Sequence, residues 1–190
     1  ELADRVVIGT FVHPEQTLVD DLDALTGVMR EHEVIAAVAG DQRAADALTQ
    51  PLPAQLAGDR PLEQERGVGD LDTAQAHVLD VIAAGHHLLL DAPAGADVAG
   101  TLAAVVADAA ASGRTVLYVA GHRRAAEALT ARLAELGLSD LVLDVAPGSG
   151  WRAEAGQRLL GAMTGEPFRV DAEKIGIVQR ELLDRRSRLH

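Results

Sequence analysis

The sequence predicts an α/β fold, a parallel sheet with flanking helices and a helical C-terminal extension. Three short apolar segments, "HHLLLDA", "RTVLYVA" and "DLVLDVA", predict strands at residues 86–91, 114–120 and 141–145. Helical patterns separate these segments, and strands that alternate with helices are typical of βαβ units in a parallel sheet. From Trp151 onward the pattern is helical. We therefore divide the chain into an N-terminal segment with its linker (1–60), a core (61–150) and the extension (151–190).

The N-terminal segment predicts a strand followed by helices. "RVVIGTF" (Arg5–Phe11) is short and β-branched, as strands often are. "EVIAAVAG" fits either a strand or a helix. The next segment, "DQRAADALTQ", predicts a helix that is capped by Asp41. A proline-rich stretch at 51–70 has the composition of a linker or surface loop. The first helix is indicated by apolar residues at helical spacing: Leu18, Leu22, Leu25 and Met29.

Composition excludes several classes of protein. Hydrophobic residues make up 48% of the chain and aromatic residues 2%, so the core must be aliphatic. The net charge of −12 argues against a compact nucleic-acid binder, although a local basic patch remains compatible with it. Cysteine is absent, which excludes disulfides, thiolate catalysis and cysteine-bound zinc. No apolar run reaches the roughly 18 residues of a membrane span, so we expect no membrane contact. The absence of cysteine fits a reducing cytosol, and we expect a cytoplasmic protein.

The start of the chain indicates a piece of a longer protein. The first residue is Glu1 rather than Met, and it stands directly before the first predicted strand. No charged-then-apolar signal peptide opens the sequence. We therefore expect a fragment.

The turn "APAGADVA" (Ala92–Ala99) joins a predicted strand to a helix, which is the layout of a phosphate-binding loop. Gly95 fits such a loop, but Val98 stands where a lysine is needed and Ala99 where a hydroxyl should hold magnesium. Asp97 would repel a phosphate and suits a helix cap instead. We expect Val98 to extend the core contact made by the apolar stripe of the helix, and we expect the turn to hydrolyse nothing.

The stretch from Leu71 to Val145 resembles the first RecA-like domain of superfamily 1 DNA/RNA helicases, most closely the bacterial helicase-related proteins. The resemblance lies in "LDTAQ" before a strand, the turn, and "VAGHRRAAEAL" after the next strand. It implies a P-loop NTPase-like (RecA-like) core with a degenerate Walker A motif. The segment from Trp151 resembles the start of the inserted helical subdomain of that family.

The resemblance also implies roles for single residues. It gives Gln75 the role of the glutamine that reads adenine, with Pro93 and Gly95 matching the Walker A motif. Asp97, Val98 and Ala99 depart from that motif, so the nucleotide site is expected to be vestigial, with no catalytic residue. Intact relatives use ATP and Mg²⁺; we expect no cofactor in this chain. Residues that would contact a nucleic-acid backbone are Arg123 and Arg124.

Each of these assignments has a plainer alternative. Gln75 fits a solvated helix residue, and the arginine pair fits a solvated helix start. A zinc site at His77, His86 and His87 is disfavoured, because adjacent histidines on a strand point to opposite faces. Two functions stay open: a fragment of a helicase-type ATPase that acts on nucleic acid through the full-length protein, or a non-catalytic pseudo-ATPase domain that binds or regulates other proteins.

Overall fold

The computed structural model describes residues 9, 15–146, 148–164 and 171–189. These residues form eight α-helices and two short 3-10 helices. The chain divides into two compact units, Glu1–Leu52 and Pro53–His190. The three-part division of the sequence stays a prediction, as does the strand at Arg5–Phe11, which lies outside the described residues except for Gly9.

The first unit contains three helices in its described part: α1 (Gln16–Glu31), α2 (Glu33–Val38) and α3 (Gln42–Leu48). "EVIAAV", which fitted a strand or a helix, is the helix α2. Asp41 caps α3 as expected, because its carboxylate accepts hydrogen bonds from the backbone N–H groups of Arg43 and Ala44. The polypeptide turns between α2 and α3 at Gly40, whose φ of 98° favours glycine.

The second unit begins with a 3-10 helix at Leu62–Gln64 and is otherwise built from longer helices. These are α4 (Thr73–Ala83), α5 (Val98–Ala111), α6 (Arg123–Glu135), α7 (Trp151–Thr164) and α8 (Ala172–Leu189), with a second 3-10 helix at Ser139–Leu141 after α6. Within the described residues, no helix is both long enough and apolar enough to cross a membrane.

The core of the second unit lies where α4 and α6 pack on α5. Leu79 and Val81 of α4 and Leu133 of α6 have almost no exposed surface. Ala103 and Ala104 of α5 are completely buried. Small side chains on the central helix let the neighbouring helices approach closely, so this core is made by helix-on-helix packing.

The predicted parallel sheet is wrong for the described part of the chain, and with it the P-loop, RecA-like fold class. Segments 86–91, 114–120 and 141–145 contain no strand; only Leu141 lies in a helical turn. No β-ladder joins these segments to described residues. A parallel strand needs a hydrogen-bonded neighbour and cover on both faces. In the second unit, α4, α5 and α6 bury apolar side chains on one another, and the three segments are left half-covered or exposed.

Candidate functional site

The turn that precedes α5 is built by local backbone contacts. The N–H of Ala96 donates to the carbonyl of Pro93 at 3.1 Å, and the N–H of Val98 donates to the carbonyl of Ala96 at 2.9 Å. Gly95 has a φ of 89°, a left-handed conformation that glycine adopts without steric cost. Pro93 and Gly95 thus shape the turn, and they need no ligand to do so.

Asp97 occupies the N-terminus of α5. Its Oδ1 accepts a hydrogen bond from the backbone N–H of Gly100 at 2.8 Å. A carboxylate in this position satisfies one of the unpaired N–H groups of the first turn and interacts favourably with the helix dipole. An added anion would meet this negative charge where a phosphate normally binds a helix N-terminus.

Gln75 joins the start of α4 to the start of α5. Its Oε1 accepts the N–H of Asp72 at 2.9 Å, while its own N–H donates to the Asp72 carboxylate at 2.8 Å. Its Nε2 donates to Thr101 Oγ1 at 2.9 Å and to the carbonyl of Asp97 at 3.3 Å. Both ends of the Gln75 amide are engaged within the protein. Recognition of adenine by this side chain stays a prediction.

Arg132 of α6 also contacts Asp97, and it was not predicted as a site residue from the sequence. Its Nη2 lies 3.4 Å from Asp97 Oδ2, and its Nη1 donates to Glu135 Oε2 at 2.9 Å. The hydrogen bond to Glu135, and next the charge of Asp97, raise the pKa of Arg132. The local signal in the sequence is only the i,i+3 pair with Glu135. We call Gln75, Asp97, Thr101 and Arg132 the turn cluster.

The two positions after Asp97 supply no polar group to the turn. Val98 has 40% of its surface exposed, so the expectation that it extends the core contact is wrong. The buried positions on α5 are instead Gly100, Thr101, Ala103, Ala104, Asp108 and Ala109. Ala99 is half-buried. Neither Val98 nor Ala99 can bind a phosphate or a magnesium ion through its side chain.

Arg123 and Arg124 open α6, where His122 is the cap. Arg123 donates to Glu127 at 3.1 Å and to Asp144 at 2.7 Å, and the hydrogen bond to Asp144 contributes most to the raised pKa of Arg123. The backbone N–H of Ala146, followed by Arg123, lowers the pKa of Asp144. Arg124 is exposed and forms no ion pair with the described residues. The two adjacent arginines therefore differ in their availability to a ligand.

The histidines do not form a metal site in the part of the chain that the structure describes. Among those residues no group of three or more His, Asp or Glu side chains is placed to hold an ion. His77 is half-buried on α4, while His87 is exposed after the helix.

Comparison with known proteins identifies no relative. No protein-family model matches the sequence, and neither the search of curated proteins nor the search of solved structures found a match.

Proposed function

We propose that this chain is a non-catalytic protein-interaction module. The observation that carries the proposal is the exposure of large apolar side chains in two segments that contain no helix or strand, Leu88–Leu90 and Val116–Val119. Leu89 is 92% exposed, Leu117 82% and Val119 80%. Exposed apolar side chains are normal when scattered singly, but consecutive ones are a feature of binding surfaces.

The exposure of these segments alternates along the chain. Leu88 and Leu90 are less than half exposed on either side of Leu89. Val116 and Tyr118 are likewise about half as exposed as Leu117 and Val119. Alternation with a period of two is how side chains are arranged on a β-strand. These segments are thus suited to a partner polypeptide that pairs with their backbone and covers the exposed side chains.

The turn cluster supports the non-catalytic part of the proposal. Asp97 and Arg132 neutralise one another at the N-terminus of α5, and Gln75 is held by backbone and side-chain partners. No lysine or hydroxyl stands at positions 98 and 99. A phosphate would have to displace these contacts and would gain neither of the usual ligands.

A cytosolic location belongs to the proposal as well, because a chain without cysteine suits a reducing compartment.

Site-specific photo-crosslinking in cells that produce the protein tests the interaction. A photoreactive residue replaces Leu117 in one variant, and in a control it replaces Thr130, an exposed position on α6. We expect a discrete adduct with one protein at position 117 and none at 130. The purified partner should then bind the wild-type chain and lose about tenfold or more in affinity for Leu89→Gln/Leu117→Gln/Val119→Gln. Equal binding of both chains, or the same adducts at both positions, would contradict the proposal.

Descent from a helicase-related ATPase is a second candidate, and the position of Gln75 favours it. The resemblance gives Gln75 the role of the glutamine that reads adenine, and the Gln75 amide lies within hydrogen-bond distance of Asp97 in the turn Ala92–Ala99. In this candidate the full-length protein would act on nucleic acid. Nucleotide titration, described in the Discussion, separates the two functions.

A further inference from the structure

The first unit carries an apolar groove between α1 and α2. Its volume is about 490 Å³, and it is open to solvent. The residues that line it include Leu22, Thr26, Met29, Arg30, Ile35 and Asp41. The α1 residues among them follow the spacing i, i+4, i+7 and i+8, so they form one face over about two helical turns, roughly 10 Å.

This groove is left uncovered because the three helices of the unit do not bury one another. None of the described residues of α1, α2 or α3 is buried. Leu22 is about half exposed, and Ile35 is also exposed across the groove. Helices that bury no side chain gain little from tertiary packing, which normally supplies most of the stability of helices in proteins. An apolar occupant would supply the missing packing.

The charge around the groove selects the kind of occupant. Residues 15–52 contain eight carboxylates and two arginines, a net charge of −6 out of the total of −12. Two charged residues, Arg30 and Asp41, line the groove itself. Asp23 follows Leu22 directly and lies one helical turn before Thr26, so it adds a carboxylate next to the α1 side of the groove. An anionic membrane or a nucleic acid would be repelled by this charge, and so would a second copy of the same acidic surface.

We propose that this groove binds an amphipathic helix of another protein, with an apolar stripe that is flanked by basic residues. The apolar stripe would lie on Leu22, Met29 and Ile35, in the way that helical ligands dock into grooves with anchors at i, i+3, i+4 and i+7. The basic residues would face the carboxylates at the rim, which speeds association and sets the orientation. This site lies wholly within the first unit and is independent of the segments at Leu88–Leu90 and Val116–Val119.

The test uses the full chain and a synthetic probe. The probe is a labelled peptide of about 18 residues, with leucines at helical spacing and lysines elsewhere. Two control peptides are a scrambled isomer and a version with glutamate in place of lysine. Fluorescence anisotropy at about 150 mM salt, where exposed charges are well screened, should show saturable binding of the Leu/Lys helix and weak binding of both controls.

Matched variants locate the site. Leu22→Gln/Met29→Gln should lose about tenfold or more in affinity. Leu22→Gln alone, at an exposed position, should still lose several-fold and keeps the test valid if the double variant unfolds. Val28→Gln changes an exposed residue of α1 outside the groove and should leave the affinity unchanged. Asp23→Asn should weaken binding more than Asp20→Asn, which removes the same charge farther from the groove.

Several results would overturn the proposal. One is equal binding of the Leu/Lys peptide and its scrambled isomer, which would mean charge attraction alone. Another is equal weakening by Val28→Gln and Leu22→Gln. Concentration-dependent dimerisation in sedimentation equilibrium that Leu22→Gln abolishes would show a second copy in the groove instead. Binding of the chain to vesicles of phosphatidylserine and phosphatidylcholine that Leu22→Gln abolishes would show a lipid surface instead.

Discussion

The guanidinium of Arg132 and the carboxylate of Asp97 face each other at the N-terminus of α5, with Nη2 and Oδ2 3.4 Å apart. Asp97 caps α5, and Arg132 comes from the last turn of α6, 35 positions later. The pair therefore brings a negative charge and its counter-charge to the place where a phosphate would otherwise bind.

Mg-ATP is expected not to bind usefully to this chain. A lysine would contribute a hydrogen bond between charged groups, which stabilises a complex by about 1.5–3 kcal/mol, and this contact is missing. The Asp97 carboxylate would in addition repel the phosphates of ATP. Calorimetric titration should give a dissociation constant weaker than about 1 mM, an interaction of less than about 4 kcal/mol. Micromolar binding of Mg-ATP by the wild-type chain would refute the non-catalytic proposal.

A triple variant distinguishes the two candidate functions. Asp97→Gly/Val98→Lys/Ala99→Ser restores the lysine and hydroxyl of the phosphate-binding motif. A folded variant that gains affinity for Mg-ATP supports descent from an ATPase. If the variant folds and gains nothing, the turn does not approach nucleotide-binding geometry, and descent from an ATPase loses its support. The control is Asp97→Gly alone, which removes the negative charge without adding a ligand.

Gly100 and Asp97 are expected to be energetically coupled. A Cβ built at Gly100 collides with the Asp97 carboxylate, so Gly100→Ala must displace the cap. Asp97→Ala should lower the free energy of unfolding by about 0.5–2 kcal/mol, the usual cost of losing a cap. Gly100→Ala should be destabilising in the wild-type chain, yet neutral or stabilising in the Asp97→Ala background, because alanine is the better helix former by up to about 1 kcal/mol.

A double-mutant cycle in urea measures this coupling. Additive effects of the two substitutions would contradict the collision. Ala99→Gly serves as the matched control in the same turn of α5, since it changes helix propensity without touching the carboxylate.

Nucleic-acid binding should be weak, sensitive to salt and dependent on Arg124 rather than Arg123. Arg123 is paired with Glu127 and Asp144, whereas Arg124 forms no ion pair with the described residues. A single-stranded oligonucleotide should show no saturable binding at about 150 mM salt, and any binding at low salt should fall steeply as salt is added. Arg124→Gln should weaken that low-salt binding more than Arg123→Gln. Tight binding at physiological salt would contradict this prediction.

Features that depend on a few neighbouring residues were predictable from the sequence. The caps at Asp41 and Asp97 were predicted and are confirmed. A cap needs only its own side chain and the next turn of backbone, so the local sequence determines it.

The predicted strands failed because a strand depends on partners that are distant in sequence. "HHLLLDA" has the composition of a buried strand, but composition does not establish a neighbour for its backbone. Arg132 was missed for the same reason, because its contact with Asp97 joins two helices. Gln75 was singled out by resemblance, and the structure does place it beside the turn, through contacts to Asp97 and Thr101.

Acidification should remove the contribution of Asp144 to stability. Its pKa is lowered in the folded chain by the N–H of Ala146 and by Arg123, so the folded state favours the charged carboxylate. That contribution is therefore present above the ordinary pKa of aspartate, about 3.9, and is lost as the pH falls through the lower folded value.

Asp144→Asn should melt below the wild type at pH 7, and the difference in Tm should shrink as the pH falls below about 4. Asp140→Asn is the control at an exposed carboxylate nearby. A difference in Tm between Asp144→Asn and wild type that stays constant from neutral to acidic pH would show that the Arg123–Asp144 pair does not stabilise the fold through its charge.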